Sequence, residues 1–169
     1  MYARHLFITA GVIGALSLAS VCAYAATSAQ DFVTKASIAN EFEIESSKLA
    51  LDKSQNNDIK SFAQRMVDDH TKTGDKLKNV LKNSASNAQP ATSLDDKHQK
   101  LLDTLNAANG KSFDDQYVNI QTDAHKEAVS LFTDYSQTGT DSALKTFATE
   151  TLPTLKKHLK HVETLQANH

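Results

Sequence analysis

The sequence predicts an all-α protein: an up-down four-helix bundle with one short extra helix in the long connection between the second and third main helices. Three observations predict it. Four long stretches place apolar or small residues at steps of three and four, the repeat of a single helical face. Five Gly, two Pro and no Trp are few turn formers for 169 residues. No stretch alternates with period two between turn signals, so no sheet is expected. At this length one domain with a sizeable core is expected rather than two.

Residues 1–25 stand apart from the fold. "MYARH" is a short basic start, "LFITAGVIGALSLASV" an apolar run, and Ala23-Tyr24-Ala25 supplies small residues at the positions a signal peptidase reads. Cleavage before Ala26 is expected, leaving residues 26–169 as the single bundle domain. A retained anchor is the rival reading, but the apolar run is shorter than the ~20 residues a spanning helix needs. Lipidation at Cys22 would want a small residue where Val21 stands. Cleavage removes Arg4 and the only cysteine. The mature chain then has no disulfide and no thiol nucleophile, and is held together by packing alone. Its mild acidity, with no Lys/Arg stripe among aromatics, excludes a nucleic-acid binder. An exported, periplasmic or envelope-associated bundle without a membrane span is the expectation; a protein partner or homo-oligomer stays open.

The first long helix runs from about Gln30 to Lys53, with Phe32, Ala36, Ala39, Glu43, Ser46 and Ala50 on one face. "SQNND" ends it, and Asn57 or Asp58 is the expected cap of the second helix. That helix carries Ile59, Phe62, Ala63, Met66, His70, Thr73, Leu77 and Val80 on one face, then fades into the linker "KNSASNAQPATS". Ser93 is the expected cap of a short helix ending at Asn109-Gly110. Ser112 is the expected cap of a third long helix to about Gln137, placing Asp114 and Asp115 in its first turn, where the helix dipole favours acids. "QTGTD" is a tight break, after which Asp141 caps a last helix to about Gln166. Pro153 inside it should remove one backbone hydrogen bond and kink the helix. "IKSFA" (59–63) and "LKTFA" (144–148) form a faint internal echo.

Each long helix sends one metal-competent polar side chain toward the bundle axis. His70 lies between Met66 and Thr73 in its seam. His158 follows Leu155 and precedes Val162 in the last one. His125 stands four after Gln121, beside an arc of Tyr117, Ala124, Ala128 and Leu131, and Glu43 lies among small residues. A buried ionised carboxylate needs partners. Neutral imidazoles bind a divalent metal through one nitrogen while donating from the other. Glu43, His70, His125 and His158 are therefore the candidate ligands of one divalent transition metal, Zn, Fe, Cu or Ni, with Asp69 and Gln121 supporting them from behind. The competing reading is a polar layer that only fixes helix register. His158 with His161, and Asp95 with His98, have chelating spacing but read as solvated surface. Tyr117 and Tyr135 read as core residues with wet hydroxyls. No phosphate loop, nucleophile elbow or HExxH motif is present, so no catalytic residues are assigned.

"DFVTKASIANEFEIESSKLA", "IKSFAQRMVDDHTK", "FDDQYVNIQTDAHKEAVSLF" and "TLPTLKKHL" resemble, in order, the motifs of an exported bacterial family catalogued as domain of unknown function 4142 and often labelled predicted outer membrane protein. The resemblance runs from about Asp31 to Leu165. It rests on Glu43, Asp69 with His70, His125, and Leu152-Pro153 with His158. It implies a ferritin-like bundle. Di-iron proteins of that type carry Glu-x-x-His on two helices. Here Val67, Thr122 and Leu155 stand three before the histidines, so a mononuclear, histidine-rich site in metal handling or envelope stress is the expectation. The alternative is a non-catalytic envelope bundle that acts through its surface.

Overall fold

The computed structural model describes residues 27–167, so the expected leader lies outside the described residues. Five helices follow one another: α1 (Ala29–Lys53), α2 (Asn57–Leu81), α3 (Asp96–Ala107), α4 (Gly110–Thr138) and α5 (Ser142–Ala167). Among the described residues there is no strand. The all-α four-helix bundle with a short helix in its long connection is the observed fold.

Local chemistry sets the helix starts, and three of them differ from expectation. Asn56, not Asn57 or Asp58, caps α2: its Oδ1 accepts from the backbone N–H groups of Asp58 (2.8 Å) and Ile59 (3.3 Å). Asp95 rather than Ser93 caps α3, accepting from the backbone N–H of His98 at 2.9 Å. Helix α4 begins at Gly110, ahead of Ser112, so Asp114 and Asp115 lie beyond its first turn. Gly110 has φ of 55°, a left-handed conformation that lets the chain reverse sharply out of α3 and enter α4 without a side-chain cap. Asp141 caps α5 as expected, through Leu144 at 2.9 Å. Helix α5 is continuous through Pro153, whose ring removes one backbone donor.

Helix α1 packs on α2 and α4, and α5 packs on the same two, which leaves α2 and α4 on one diagonal. The long connection travels the length of the bundle. It starts beside the N-terminus of α1, where Gln30 donates to the carbonyl of Gln89 (2.9 Å) and accepts from its N–H (3.0 Å). It finishes beside the C-terminus of α1, where the Lys53 amine donates to the carbonyls of Asn106 and Ala108. Both hairpins, α1–α2 and α4–α5, are therefore antiparallel, while α2 and α4 point the same way. A single long crossover of this kind is the ferritin-like variant of the bundle.

Two apolar clusters fill the interior. One, near the α4–α5 turn, is built on Phe32, Leu77, Phe132, Tyr135, Leu144, Phe147 and Leu155. The other, at the opposite end, is built on Ile59, Phe62, Met66, Phe113, Tyr117, Val162 and Leu165. Each fully buried Phe contributes roughly 1.5–3 kcal/mol by leaving water. On every long helix buried polar residues lie between the two clusters: Glu43, Ser46 and Ser47 on α1, His70 on α2, Gln121, Thr122 and His125 on α4, and His158 on α5. The site is this middle layer.

Candidate metal centre

The helical period that places Met66 in the core also turns His70 inward and leaves Asp68 exposed, with Asp69 on the flank. The same geometry on α4 and α5 buries His125 and His158. The three imidazoles are 5%, 0% and 3% exposed, respectively. Their ring centroids lie 5.5–5.8 Å apart. One nitrogen from each ring lies within 4.8 Å of one nitrogen of each of the others.

Each ring is held from behind by an oxygen that can only accept from it. The carbonyl of Gln121 takes the Nδ1 proton of His125 at 2.9 Å. Oδ1 of Asn40, on α1, takes that of His70 at 3.2 Å. Asp69 Oδ2, on α2, takes the Nε2 proton of His158 at 3.0 Å. These acceptors fix the tautomers, since a neutral imidazole that donates from one nitrogen carries a lone pair on the other. The remaining nitrogens, His70 Nε2, His125 Nε2 and His158 Nδ1, are buried and have no hydrogen-bonding partner among the described residues.

Electrostatics favour the neutral form of His70 and His158. Burial, and next the neighbouring His125 and His158, hold His70 well below the usual histidine range. Burial likewise lowers His158 to about 4, although its hydrogen bond to Asp69 works in the opposite direction.

Glu43 is buried at 3% exposure but does not share the centre of the three rings. Its Oε1 stands 3.5 Å from Nδ1 of His125, the nitrogen that already donates to Gln121, so the carboxyl meets that ring from behind. Burial raises its pKa above the usual carboxylate value, with His125 and then the Gln121 side chain pulling the other way. Of the expected supporting residues, Asp69 bonds His158 directly. Gln121 supports His125 through its backbone, while its side chain donates to Ser46 Oγ at 3.1 Å. Sequence reasoning missed Asn40, although it stands four after Ala36 and three before Glu43 on the inward face.

The other candidates fall outside the centre. His161 packs edge-on against Phe62 at 5.2 Å. Asp95 caps α3 and accepts from His98 Nδ1 at 2.6 Å, while the His98 ring stands edge-on to Phe42. Both serve the fold there, with Asp95 exposed at the surface as expected and His98 partly buried. The Tyr117 hydroxyl is dry: it bonds Ser47 Oγ at 2.9 Å in the interior. Tyr135 is also fully buried, its ring stacked 3.9 Å from Phe32.

A family model described as Domain of unknown function (DUF4142) matches residues 16–165. The chain belongs to that family. No curated protein matches the sequence of this DUF4142 chain. Among solved structures, it superposes on CopM in its Cu(II)-bound form with a TM-score of 0.69 at 17% identity, over 82% of this chain and 95% of that one. The Cu(I)-bound form of CopM gives 0.68 at 16%, over 83% and 96%. A DUF305 fragment from Deinococcus radiodurans gives 0.70 at 12%, over 82% and 94%. A putative secreted DUF305 protein from Streptomyces coelicolor gives 0.66 at 15%, over 85% and 95%. At these identities the likeness concerns the fold of the DUF4142 chain. No helix among the described residues is long and apolar enough to cross a membrane.

Proposed function

We propose that this DUF4142 protein is an exported helical bundle that binds one transition metal ion through His70, His125 and His158, in a metal-handling role. The observation that carries the reading is the set of three buried ring nitrogens without protein partners, each on an imidazole whose other nitrogen is pinned by an oxygen acceptor. Metal-bound histidines are held from behind in this manner. Three nitrogens within 4.8 Å of one another fit a circle of radius about 2.8 Å. Metal–nitrogen bonds of about 2.0–2.1 Å therefore ask each ring to advance by less than about 1 Å.

Three neutral imidazoles accept Zn, Fe, Cu or Ni. Copper is the first to test, because the bundle shares its fold with CopM, which was captured with both Cu(II) and Cu(I). In this reading Glu43 acts as a charge partner behind His125, and Asp69, Asn40 and Gln121 orient the three rings. The secreted DUF305 neighbour and the basic, apolar, small-residue order of residues 1–25 support export.

The register-layer reading draws its support from the cross-helix bonds Ser47–Tyr117 and Gln121–Ser46. A layer evolved for register alone would satisfy its own polar atoms, since each buried unsatisfied group costs about 1–3 kcal/mol. Here Glu43 Oε2, Gln121 Oε1 and three imidazole nitrogens have no partner among the described residues, which favours the metal. The test is metal analysis of the untagged mature protein after reconstitution with Cu or Zn, beside a His70→Ala/His158→Ala double variant. One equivalent in the wild type and none in the variant is expected. Equal metal content in both would refute the site.

A further inference from the structure

Beside the three imidazoles, between α1, α2 and the crossover segment, lies a cleft of about 620 Å³. His70, His125 and Glu43 form part of its wall, and His158 does not. Two of the three ring nitrogens without partners therefore belong to side chains that the cleft reaches. Oε2 of Glu43, buried and likewise without a partner among the described residues, belongs to the same wall. The deeper lining is apolar, with Ala36, Leu77, Phe147 and Leu155.

The outer rim is a built one. Residues 90–94 of the crossover line the cleft, and the segment is fastened to α1 at two points. One is the reciprocal Gln30–Gln89 pair. The other is the Ala91 N–H, which donates to Ser37 Oγ at 2.9 Å.

We infer that this cleft is a ligand site: it admits a small Lewis-basic ligand to the coordination position that three imidazoles would leave open on a bound metal. The inference rests on the three-imidazole reading above. Structural metal sites are closed by four protein ligands, whereas three protein ligands leave a position for water or an exogenous molecule. The side on which that position opens is set by the walls. Toward α5, His158 and Asp69 occupy the flank, with Lys72 at 3.6 Å from Asp69. Toward the α1–α2 seam the rings meet the cleft. Its apolar depth disfavours larger hydrated ions and suits a ligand of a few atoms.

The experiment uses azide as the probe on the full mature chain loaded with Cu(II), read by charge-transfer absorption and electron paramagnetic resonance. Copper content is measured first. A chain that takes up no copper or zinc refutes the metal reading, and the ligand inference falls with it. A chain holding one copper is expected to give a saturable azide-dependent band. Ala91→Trp, which fills the mouth without touching a metal ligand, is expected to keep its copper and weaken azide binding at least tenfold. Thr92→Trp, at an exposed rim position, is the second variant should Ala91→Trp fail to fold. A copper-loaded wild type with no azide response overturns the ligand site while leaving the metal site standing. An unchanged azide affinity in a folded, copper-loaded mouth variant overturns the assignment to this cleft.

Discussion

A Cβ placed on Gly74 of α2 would stand 2.9 Å from Nδ2 of Asn40 on α1, the residue whose Oδ1 holds His70 in its tautomer. The bare glycine gives Asn40 its room. Glycine inside a helix is unfavourable by roughly 1 kcal/mol relative to alanine, so a close neighbour is a physical reason for finding one there. Gly74→Ala should accordingly leave the metal-free protein as stable as the wild type, or more so, while displacing Asn40 and loosening the His70 ring. Metal affinity is expected to fall about tenfold or more. Competition with a chelator, beside urea denaturation of the metal-free form, reads the two effects separately.

Asp69 is partly exposed and bonds only the outer nitrogen of His158 within the centre. Asp69→Ala should change the stability of the metal-free protein by less than about 1 kcal/mol. It frees the ring to rotate and to take the other tautomer, so metal affinity should drop by about 10–100-fold. Isothermal titration with the metal checks this; an affinity equal to wild type would show that the hydrogen bond plays no part in binding.

Glu43 carries its own prediction about charge. Its folded-state pKa is raised by burial, so its contribution to stability falls as pH rises through that range. Glu43→Gln should remove this penalty and raise the urea midpoint near neutral pH more than at about pH 4. Glu43→Leu leaves the Gln121 side chain without that neighbour in the interior and should be destabilising by about 1–3 kcal/mol relative to Gln. Denaturation of both variants across pH provides the comparison.

Acidification acts through His70 and His158. Both have folded-state pKa values lowered by burial, so below the usual histidine value the unfolded chain binds protons that the folded one does not. Stability must rise with pH in that window, and is lost as pH falls from about 6.5 toward the value of about 4 reached by His158. Each group contributes a slope of about 1.4 kcal/mol per pH unit there. Glu43 opposes them, while His161, also lowered by burial, adds to them. Asp69 faces His158 and favours its protonated form, while Arg65 and His125 oppose it. Urea midpoints of the metal-free protein should therefore fall between about pH 7 and about pH 5. His70→Gln should flatten that slope.

Met66 and Thr73 bracket His70 at helical spacing, and that periodicity alone turns the ring inward. Likewise Leu155 and Val162 locate His158. Helix starts were less legible: Asn56, Asn57 and Asp58 are all good caps, and only the entry angle of the chain selects Asn56. Gly110 could end α3 or begin α4; Ala108 already closes α3 in an extended conformation, so Gly110 belongs to α4.

By itself, then, the order of residues determined that the chain is helical, where its four long helices lie, and which polar side chain each turns toward the interior. Those are properties of spacing along one helix, and a helix has the same 3.6-residue repeat wherever it packs. Only the tertiary structure decided how the four faces meet. The crossover that makes α2 and α4 parallel brings three imidazoles to one centre and sets Glu43 behind His125. It also supplies each ring with a partner from the backbone or a side chain: Gln121, Asn40 and Asp69. Axial rotation and relative sliding of packed helices shift side chains by several ångströms without altering any periodicity. For that reason the membership of the site lay beyond what spacing alone could specify.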